Sequence, residues 1–149
     1  LWEQKKALCQ NYCTIRRDFQ ALQDSSGGKY EAFFDLFNHH LAIVTDGRVT
    51  VGADRQFASG GNSGLRGDLL SRGTRQTVLL AFRLALLDYY YGDGGGVVVL
   101  DDVLLDMDPV RRANAARLIA GFAQRHQVIF TTCDPAVADL LGGHLIRIG

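Results

Sequence analysis

The chain has 149 residues, and its 16 Lys and Arg balance 16 Asp and Glu, so the formal net charge is zero. Hydrophobic residues make up 47% and charged residues 21%, which is typical of one globular domain and excludes intrinsic disorder. No apolar run approaches the roughly 20 residues of a membrane span, so we expect a cytoplasmic protein without a membrane partner. Zero charge removes the simplest electrostatic basis for nucleic-acid binding. Because the first residue is Leu rather than Met, we expect a longer parent chain.

The cysteine and histidine patterns are not those of a disulfide scaffold or a zinc site. Cys9, Cys13 and Cys133 are an odd number without framework spacing, which favours a reducing cytoplasm. His39 and His40 are adjacent, whereas zinc ligands usually stand about two to four residues apart. We therefore expect neither a structural disulfide nor a zinc ion.

Residues 1–24 have the heptad pattern of a helix, which Lys5 interrupts once. The apolar positions are Leu1, Leu8, Tyr12, Ile15, Phe19 and Leu22. This pattern predicts either one amphipathic helix packed on the domain or the stump of a longer coiled coil. The sequence Ser-Ser-Gly-Gly at 25–28 breaks the pattern, so we place a boundary between a helical segment, 1–24, and a folded lobe, 25–149.

The next part of the chain predicts a short helical segment and a β-hairpin. Residues 30–37 form the apolar helical segment. Residues 41–45 and 48–51 are rich in β-forming side chains and flank Asp46-Gly47, a dipeptide that favours a tight hairpin turn. The polar, glycine-rich stretch 59–67 predicts a mobile surface loop.

From residue 70 onward, helical and strand patterns alternate. The predicted elements are a helix at 75–91, a strand at 97–100, a helix at 109–125, a strand at 127–131, a helix at 135–141 and a strand at 144–148. Strands joined through helices form parallel sheets with right-handed crossovers, so we expect an α/β fold with a mostly parallel sheet flanked by helices. The continuous β-branched run at 97–100 predicts a strand covered on both faces.

Two short stretches carry side chains suited to phosphate chemistry. Asp101 and Asp102 end a predicted parallel strand, at the sheet edge where open α/β folds bind ligands. Adjacent carboxylates there suit a site that holds Mg²⁺ and orients a water, and the alternative is a strand followed by an acidic helix cap. Ser71 and Gly73 precede a long helix, whose N-terminus either presents N–H groups to a phosphate or is simply capped by the serine.

The order of these pieces resembles the C-terminal lobe of an ABC-type ATPase head, with its P-loop NTPase fold. Four motifs match in order and spacing. The signature motif matches Leu-Ser-Arg-Gly-Thr at 70–74, and Walker B matches Asp-Asp after an apolar strand. The D-loop matches Asp108, and the switch matches Thr-Thr-Cys-Asp at 131–134. The likeness is to heads of the SMC, RecF and RecN kind, including the YhaN-like and zinc-hook repair ATPases. It covers residues 25–149 and favours the coiled-coil interpretation of residues 1–24.

The resemblance implies a role for each matching residue. Asp101 corresponds to the Walker B aspartate that supports Mg²⁺, and Asp102 to the catalytic carboxylate that positions the attacking water. The residues implied in ATP contact belong to the signature motif, the D-loop and the switch: Ser71, Arg72, Gly73, Thr74, Asp108, Cys133 and Asp134. Ser71 and Gly73 would touch the γ-phosphate of ATP that a second head holds.

Several of these positions depart from the commonest family pattern. Arg72 and Thr74 replace the second Gly and the Glu of the signature, as in YhaN-like proteins, and Asp102 replaces a Glu, as in RecF-like proteins. Cys133 replaces a His, and a thiol cannot donate a charged hydrogen bond, so Asp134 is expected to cover part of that role. These departures motivate the alternative of a degenerate head that dimerises without hydrolysing ATP.

The sequence contains no G-x-x-x-x-G-K-[ST] motif, because Tyr30 follows Gly-Gly-Lys and Gln23 stands where the first Gly would be. The resemblance therefore implies that an N-terminal P-loop lobe of the same protein completes the head. It further implies a homodimer of heads around ATP that acts on DNA in repair, recombination or chromosome maintenance, with a nuclease as a further partner and the nucleoid as a location. An unrelated α/β binding domain and an ABC transporter are two competing interpretations of the same motifs.

Overall fold

The computed structural model describes residues 17, 29–52, 54–92 and 94–147. The chain divides into two compact units, Leu1–Phe34 and Asp35–Gly149. Of the helix predicted for residues 1–24, only Arg17 is described, and it is helical; the rest of that prediction lies outside the described residues. None of the described helices is long and apolar enough to cross a membrane.

Helix α1, Lys29–Thr45, contains the segment predicted as the first strand of a hairpin, so the predicted hairpin is wrong. Its buried side chains recur at helical spacing: Phe37, Leu41 and Val44. Asp46 and Gly47, with φ of 51° and 70°, end this helix. The Gly47 N–H donates to the Ala42 carbonyl at 3.0 Å, as in a left-handed helix end. Helix ends and hairpin turns both need positive φ, so Asp-Gly is typical of either.

Three short strands form an antiparallel sheet in chain order: β1, Val49–Val51; β2, Phe57–Ser59; and β3, Asn62–Leu65. Gly60 and Gly61 join β2 to β3 with φ of 60° and 82°, as a two-residue hairpin turn requires. The prediction of a loop throughout 59–67 is therefore wrong. The sequence pattern does not predict β3, because this strand is mostly exposed and has no alternating apolar residues.

Helix α2, Arg72–Tyr91, begins at residue 72 rather than at the predicted residue 75. Ser71 is its N-cap, because the Ser71 Oγ accepts a hydrogen bond from the Thr74 N–H at 3.2 Å. The helix is buried along much of its length, and Leu80, Leu84 and Leu87 belong to the hydrophobic core. A single 3₁₀ turn, Gly67–Leu69, precedes it. The local cap chemistry therefore sets the start of this helix.

Strands β4, Val97–Asp101, and β5, Gln127–Thr131, pair in parallel, and helix α3, Pro109–Phe122, connects them. The predicted strand–helix–strand order is confirmed, and so is the last helix, α4, Pro135–Leu141. The prediction of a final strand is wrong for residues 144–147, which pair with no strand in the described structure. Leu145 and Ile146 there are 57% and 72% exposed, so no buried face holds them in place. The fold is mixed α/β, with one small antiparallel and one small parallel sheet, so the expected mostly parallel sheet is wrong for the described residues, where only β4 and β5 pair in parallel.

Strand β4 is covered on one face in the described structure, not on both as predicted. Leu100 is fully buried and Val98 packs against the core, whereas Val97 and Val99 are 57% and 60% exposed. Successive side chains of a strand point to opposite faces, which explains this alternation. The core side chains come mainly from α2, α3, β4 and the loop after β4, among them Leu104, Met107, Ala115 and Ile119. Val44 of α1 and Val137 of α4 belong to the same cluster.

Candidate functional site

The carboxyl edge of the parallel sheet carries the pair Asp101 and Asp102. Asp101 is the last residue of β4, and the Thr131 hydroxyl on β5 donates a hydrogen bond to its Oδ1. The Asp102 N–H donates to the Thr131 carbonyl at 2.9 Å. Asp102 has a φ of 48°, a left-handed conformation that Asp tolerates better than most residues. The turn directs the chain away from the sheet directly after the two carboxylates.

Cys133 contacts Asp102 across the two strands. The Cys133 N–H donates to the Asp102 Oδ1 at 3.3 Å, and the Cys133 Sγ lies 3.8 Å from the Asp102 Oδ2. The thiol is free and exposed. The structure thus brings together two residues that the sequence analysis assigned to one nucleotide site from positions 31 residues apart.

Asp134 caps helix α4 through its Oδ1, which accepts a hydrogen bond from the Ala136 N–H at 2.9 Å. Its Oδ2 lies 3.7 Å from the Arg112 Nη1. The Arg112 Nη2 also donates to the carbonyls of Leu105 and Met107, at 3.2 and 3.4 Å. Arg112 therefore links the loop after β4 to the start of α4.

The start of α2 contains a compact network of hydroxyl groups. The Ser71 Oγ and the Thr74 Oγ1 lie 2.8 Å apart, at hydrogen-bonding distance. The Arg111 Nη1 donates to the same Thr74 Oγ1 at 2.9 Å. Residues 71–74, predicted as the signature motif, are therefore connected to helix α3 by an arginine from a distant part of the sequence.

Gly73 packs directly against the loop that precedes α3. A Cβ atom at this position would overlap the Asp106 carbonyl oxygen, so only glycine fits without movement of the backbone. The Arg72 Nε adds an ion pair with the Asp106 Oδ2 at 2.7 Å. The glycine that we matched to a phosphate-contacting position thus also has a packing reason within the chain.

Asp108 is the N-cap of α3. Its Oδ1 accepts hydrogen bonds from the backbone N–H groups of Val110 and Arg111, at 3.1 and 3.0 Å. These bonds favour the ionised form, and the Arg111 N–H is the main cause of a pKa for Asp108 below its ordinary value of 3.8. The Asp108 Oδ2 lies 3.3 Å from the Arg111 Nε. The predicted D-loop aspartate is therefore anionic and oriented.

The loop 102–108 joins the carboxylates of the sheet edge to the cap of α3. The described residues contain no group of three or more His, Cys, Asp or Glu side chains that could hold a metal ion. Magnesium needs no such group, because it commonly binds one or two carboxylates together with substrate phosphates and waters. Asp101 is exposed and Asp102 is half-buried, so this edge fits Mg²⁺ bound with a nucleotide.

Three residues of this region were missed as site residues at the sequence level. Thr131 follows the second apolar strand, and the same edge argument that selected Asp101 would have selected it. Asp106 and Arg111 carry no such signal, since their roles depend on contacts with α2. An arginine after a D-loop is indistinguishable in sequence from an exposed surface arginine.

A cleft of about 490 Å³ lies elsewhere, and none of the predicted site residues lines it. Its lining includes His40 and Asp88, whose Nε2 and Oδ2 lie 3.0 Å apart, and the Arg125 Nη2 lies 3.0 Å from the Asp88 Oδ1. Burial lowers the pKa of His40 below its usual 6.5, although Asp88 acts in the opposite direction. The neutral imidazole is therefore part of the interior and separate from the sheet-edge carboxylates.

Comparison with solved structures identifies the fold. A structure from work on ATP-driven dimerization and DNA-stimulated activation of SMC ATPases matches with a TM-score of 0.62 and 18% identity, covering 74% of this chain and 72% of that one. An SMC head bound to the C-winged helix domain of ScpA matches at 0.61 and 19%, covering 74% and 36%. The SMC head domain from Thermotoga maritima matches at 0.59 and 22%, covering 85% and 44%. No family model matches the chain, and no curated protein does.

The chain therefore has the fold of an SMC head domain. It spans most of the first of these structures and less than half of the other two. The nearer likeness to RecF, RecN or YhaN-like proteins stays a prediction.

Proposed function

We propose that this chain is the C-terminal lobe of an SMC-like, ABC-type ATPase head that hydrolyses ATP when an N-terminal P-loop lobe completes it. The observation that carries the proposal is the meeting of Asp101, Asp102 and Cys133 at the carboxyl edge of the parallel sheet in an SMC head fold. A carboxylate pair at that edge suits metal-assisted phosphoryl transfer, because one carboxylate supports the metal and the other orients the water.

The two carboxylates have different surroundings, which suits different roles. Asp101 accepts from Thr131 and is exposed, so its remaining oxygen is available to a hydrated Mg²⁺, which would neutralise phosphate charge. Asp102 is held by a backbone N–H and faces the switch residue Cys133. We assign Asp102 to the attacking water, whose oxygen bonds to the γ-phosphorus as the bond to the bridging oxygen breaks. The products are ADP and inorganic phosphate, and Asp102 accepts the water proton.

The signature segment supplies the contact between heads. The first turn of a helix leaves backbone N–H groups without intrahelical acceptors, and α2 is 20 residues long. Its N-terminus therefore offers N–H groups and the Ser71 hydroxyl to an anion. We propose that Ser71, Arg72 and Gly73 contact the γ-phosphate of ATP on a second copy of the head, with Asp108 at the same interface. Thr74, predicted as a further contact, is buried and bonded to Ser71 and Arg111, so it supports the segment from behind.

The exposed apolar face of the parallel sheet supports a missing lobe. Val97 and Val99 are more than half exposed, and Ile129, which pairs with Val99, is 45% exposed. Both edges of this two-stranded sheet also lack a further strand within the described residues. We propose that the P-loop lobe covers this face and that residues 1–24 form the returning coiled-coil helix, leaving residues 25–149 as the lobe.

The test joins both lobes in one head and compares Asp102→Asn with the wild type. We expect ATP binding and ATP-dependent dimerisation to persist, and hydrolysis to fall by about 100-fold or more, as for loss of a general base. Asp139→Asn, at an exposed carboxylate of α4, is the matched control. If Asp102→Asn turns over ATP as fast as wild type, Asp102 is not the catalytic carboxylate.

Ser71→Arg tests the signature separately. Light scattering with Mg²⁺-ATP should show dimers for the wild-type head and monomers for the variant, while the monomer still binds ATP. A wild-type head that binds ATP and stays monomeric would reduce residues 70–74 to a helix cap.

A head that dimerises without hydrolysis is the second candidate, and the thiol of Cys133 beside the Asp102 carboxylate favours it. The two candidates differ in one outcome, because the degenerate head would form ATP-dependent dimers that never release phosphate. Action on DNA, a nuclease partner and a nucleoid location belong to the proposal of an SMC-like machine. DNA-stimulated ATP turnover in the joined head is the measurement that tests the action on DNA.

A further inference from the structure

The start of α2 and the residues around the cap of α3 are held together at three points. Gly73 packs on the Asp106 carbonyl, and the Arg72 Nε lies 2.7 Å from the Asp106 Oδ2. The third point is the hydrogen bond from the Arg111 Nη1 to the Thr74 Oγ1, at 2.9 Å. Positions 74 and 111 are 37 residues apart in the chain, so only the fold brings them together.

Arg111 has two partners at once. Its Nη1 donates to Thr74, and its Nε lies 3.3 Å from the Asp108 Oδ2. The Arg111 side chain is 19% exposed, and Thr74 is 5% exposed. A planar guanidinium can serve both partners in fixed geometry, whereas a lysine ammonium lacks this rigid fork.

Arg111 influences how the two hydroxyl groups share their protons. Either hydroxyl can be the donor of the Ser71–Thr74 contact at 2.8 Å. The guanidinium fills one acceptor site of the Thr74 Oγ1 and repels its proton, which favours the arrangement in which Thr74 donates to the Ser71 Oγ. The Ser71 Oγ already accepts from the Thr74 backbone N–H. In that arrangement both acceptor sites of the Ser71 Oγ are filled, and the Ser71 hydroxyl has only its own proton left to offer.

We propose that Arg111 is a positioning residue that acts through Thr74 to make Ser71 a hydrogen-bond donor to phosphate. The same guanidinium holds Asp108 at a fixed position relative to residues 71–74. Asp108 and these residues therefore contact the second head as one rigid unit. The inference rests on the proposed function for the identity of the anion, the γ-phosphate of ATP. The orientation of the hydroxyl groups rests on the contacts of this chain alone.

The first experiment measures ATP-dependent dimerisation of the joined head, with Thr74→Val, Arg111→Ala and their double variant. Each single change should weaken dimerisation about tenfold, the loss of one hydrogen bond to a charged group. The double variant should be no weaker than Arg111→Ala alone, because the Thr74 change breaks a relay that the loss of Arg111 has already broken. The affinity of the undimerised head for ATP should stay within about twofold of the wild-type value, since the P-loop lobe holds the nucleotide.

Conservative variants distinguish positioning from a general role in folding. Thr74→Ser keeps the hydroxyl and should dimerise as wild type does, whereas Arg111→Lys should be impaired because it cannot bridge both partners. Arg83→Ala, at an exposed arginine of α2, is the matched control. Thermal unfolding verifies that each variant is folded. Normal dimerisation of Thr74→Val, or additive losses in the double variant, would overturn the relay.

A second measurement separates this inference from the proposed function. Amide hydrogen exchange in the full chain, without nucleotide, should speed up at Thr74 in Arg111→Ala but not in Arg83→Ala. If the wild-type head never dimerises with ATP and exchange still rises at Thr74, the network stands and the ATPase proposal fails. If exchange at Thr74 is unchanged in Arg111→Ala, the positioning role is wrong whatever the head does.

Discussion

The backbone N–H of Cys133 holds the carboxylate of Asp102, with 3.3 Å between the Cys133 nitrogen and the Asp102 Oδ1. The thiol of the same residue lies 3.8 Å from the other oxygen, a distance at which sulfur contributes a weak hydrogen bond at most. The main chain at position 133 therefore orients Asp102, and any non-proline residue supplies that N–H group. A histidine at position 133 would supply the same N–H group, so this contact does not distinguish cysteine from histidine.

We predict that Cys133→Ala will change the free energy of unfolding by less than about 0.5 kcal/mol, because the side chain is exposed and the N–H donor remains. ATP turnover of the joined head should also stay within about threefold of wild type. Chemical denaturation and a phosphate-release assay measure the two quantities. A large loss of turnover with normal stability would mean that the thiol itself acts on the nucleotide.

The left-handed backbone of Asp102 predicts how substitutions there affect stability. Asparagine tolerates this conformation and keeps an Oδ1 acceptor for the Cys133 N–H, so Asp102→Asn should unfold within about 0.5 kcal/mol of wild type. Asp102→Ala adds strain and leaves that N–H without its acceptor, and should cost roughly 1–3 kcal/mol. Denaturant titration compares the two variants. Equal free energies of unfolding for the two variants would show that neither the left-handed conformation nor the Cys133 N–H contact contributes to stability.

Gly73 tests the packing between α2 and the loop before α3, and Gly121 is its control. A Cβ at Gly73 would overlap the Asp106 backbone, so Gly73→Ala should cost about 1–3 kcal/mol and weaken ATP-dependent dimerisation. A Cβ at Gly121, inside α3, meets nothing within 4 Å, and Gly121→Ala should stabilise the protein by up to about 1 kcal/mol. Thermal unfolding of both variants tests the contrast, which would be absent if the loop moved freely.

The buried imidazole of His40 predicts a loss of stability in mild acid. Burial lowers its folded-state pKa below 6.5, so the unfolded chain takes up the proton first and stability falls as the pH drops below about 6.5. The charged and titratable groups around it are Asp88, which opposes the shift, and His39 and Arg125, which support it.

His40→Gln should flatten the dependence of unfolding free energy on pH between about 7.5 and 5.5, since the position no longer titrates. The exposed neighbour provides the control, as His39→Gln should keep the wild-type slope. Urea denaturation at several pH values measures both. Parallel curves for wild type and His40→Gln would show that other groups govern acid stability.

Local chemistry in the sequence was sufficient to predict four elements in the second half of the chain, although not the end of the chain, where the predicted strand at 144–147 is wrong. Strands β4 and β5 and helices α3 and α4 follow from apolar runs bounded by Asp-Pro caps and glycines, and the structure confirms them. The pairing of Asp101 and Asp102 with an exposed sheet edge followed from the general rule for parallel strands. Such signals are read within a few residues, and no distant contact is needed to interpret them.

Tertiary contacts decided what local patterns left open. The Asp46-Gly47 dipeptide fits a hairpin or a helix end, and the burial of Phe37, Leu41 and Val44 on one helical face selected the helix end. The expectation of two covered faces on β4 assumed a second layer, which the described residues do not supply. In both places the deciding energy is burial against other elements, which sequence spacing alone does not contain.

The sequence by itself determined the order of the motifs, the composition of a globular domain and the absence of a P-loop motif within these 149 residues. Only the tertiary structure shows that Arg111 is the hydrogen-bond partner of Thr74 and not an exposed surface charge. Likewise, only the tertiary structure shows that a side chain cannot fit at Gly73. The reason is geometric: hydrogen bonds and close contacts act over about 3 Å, and folding alone brings positions 37 residues apart within that range.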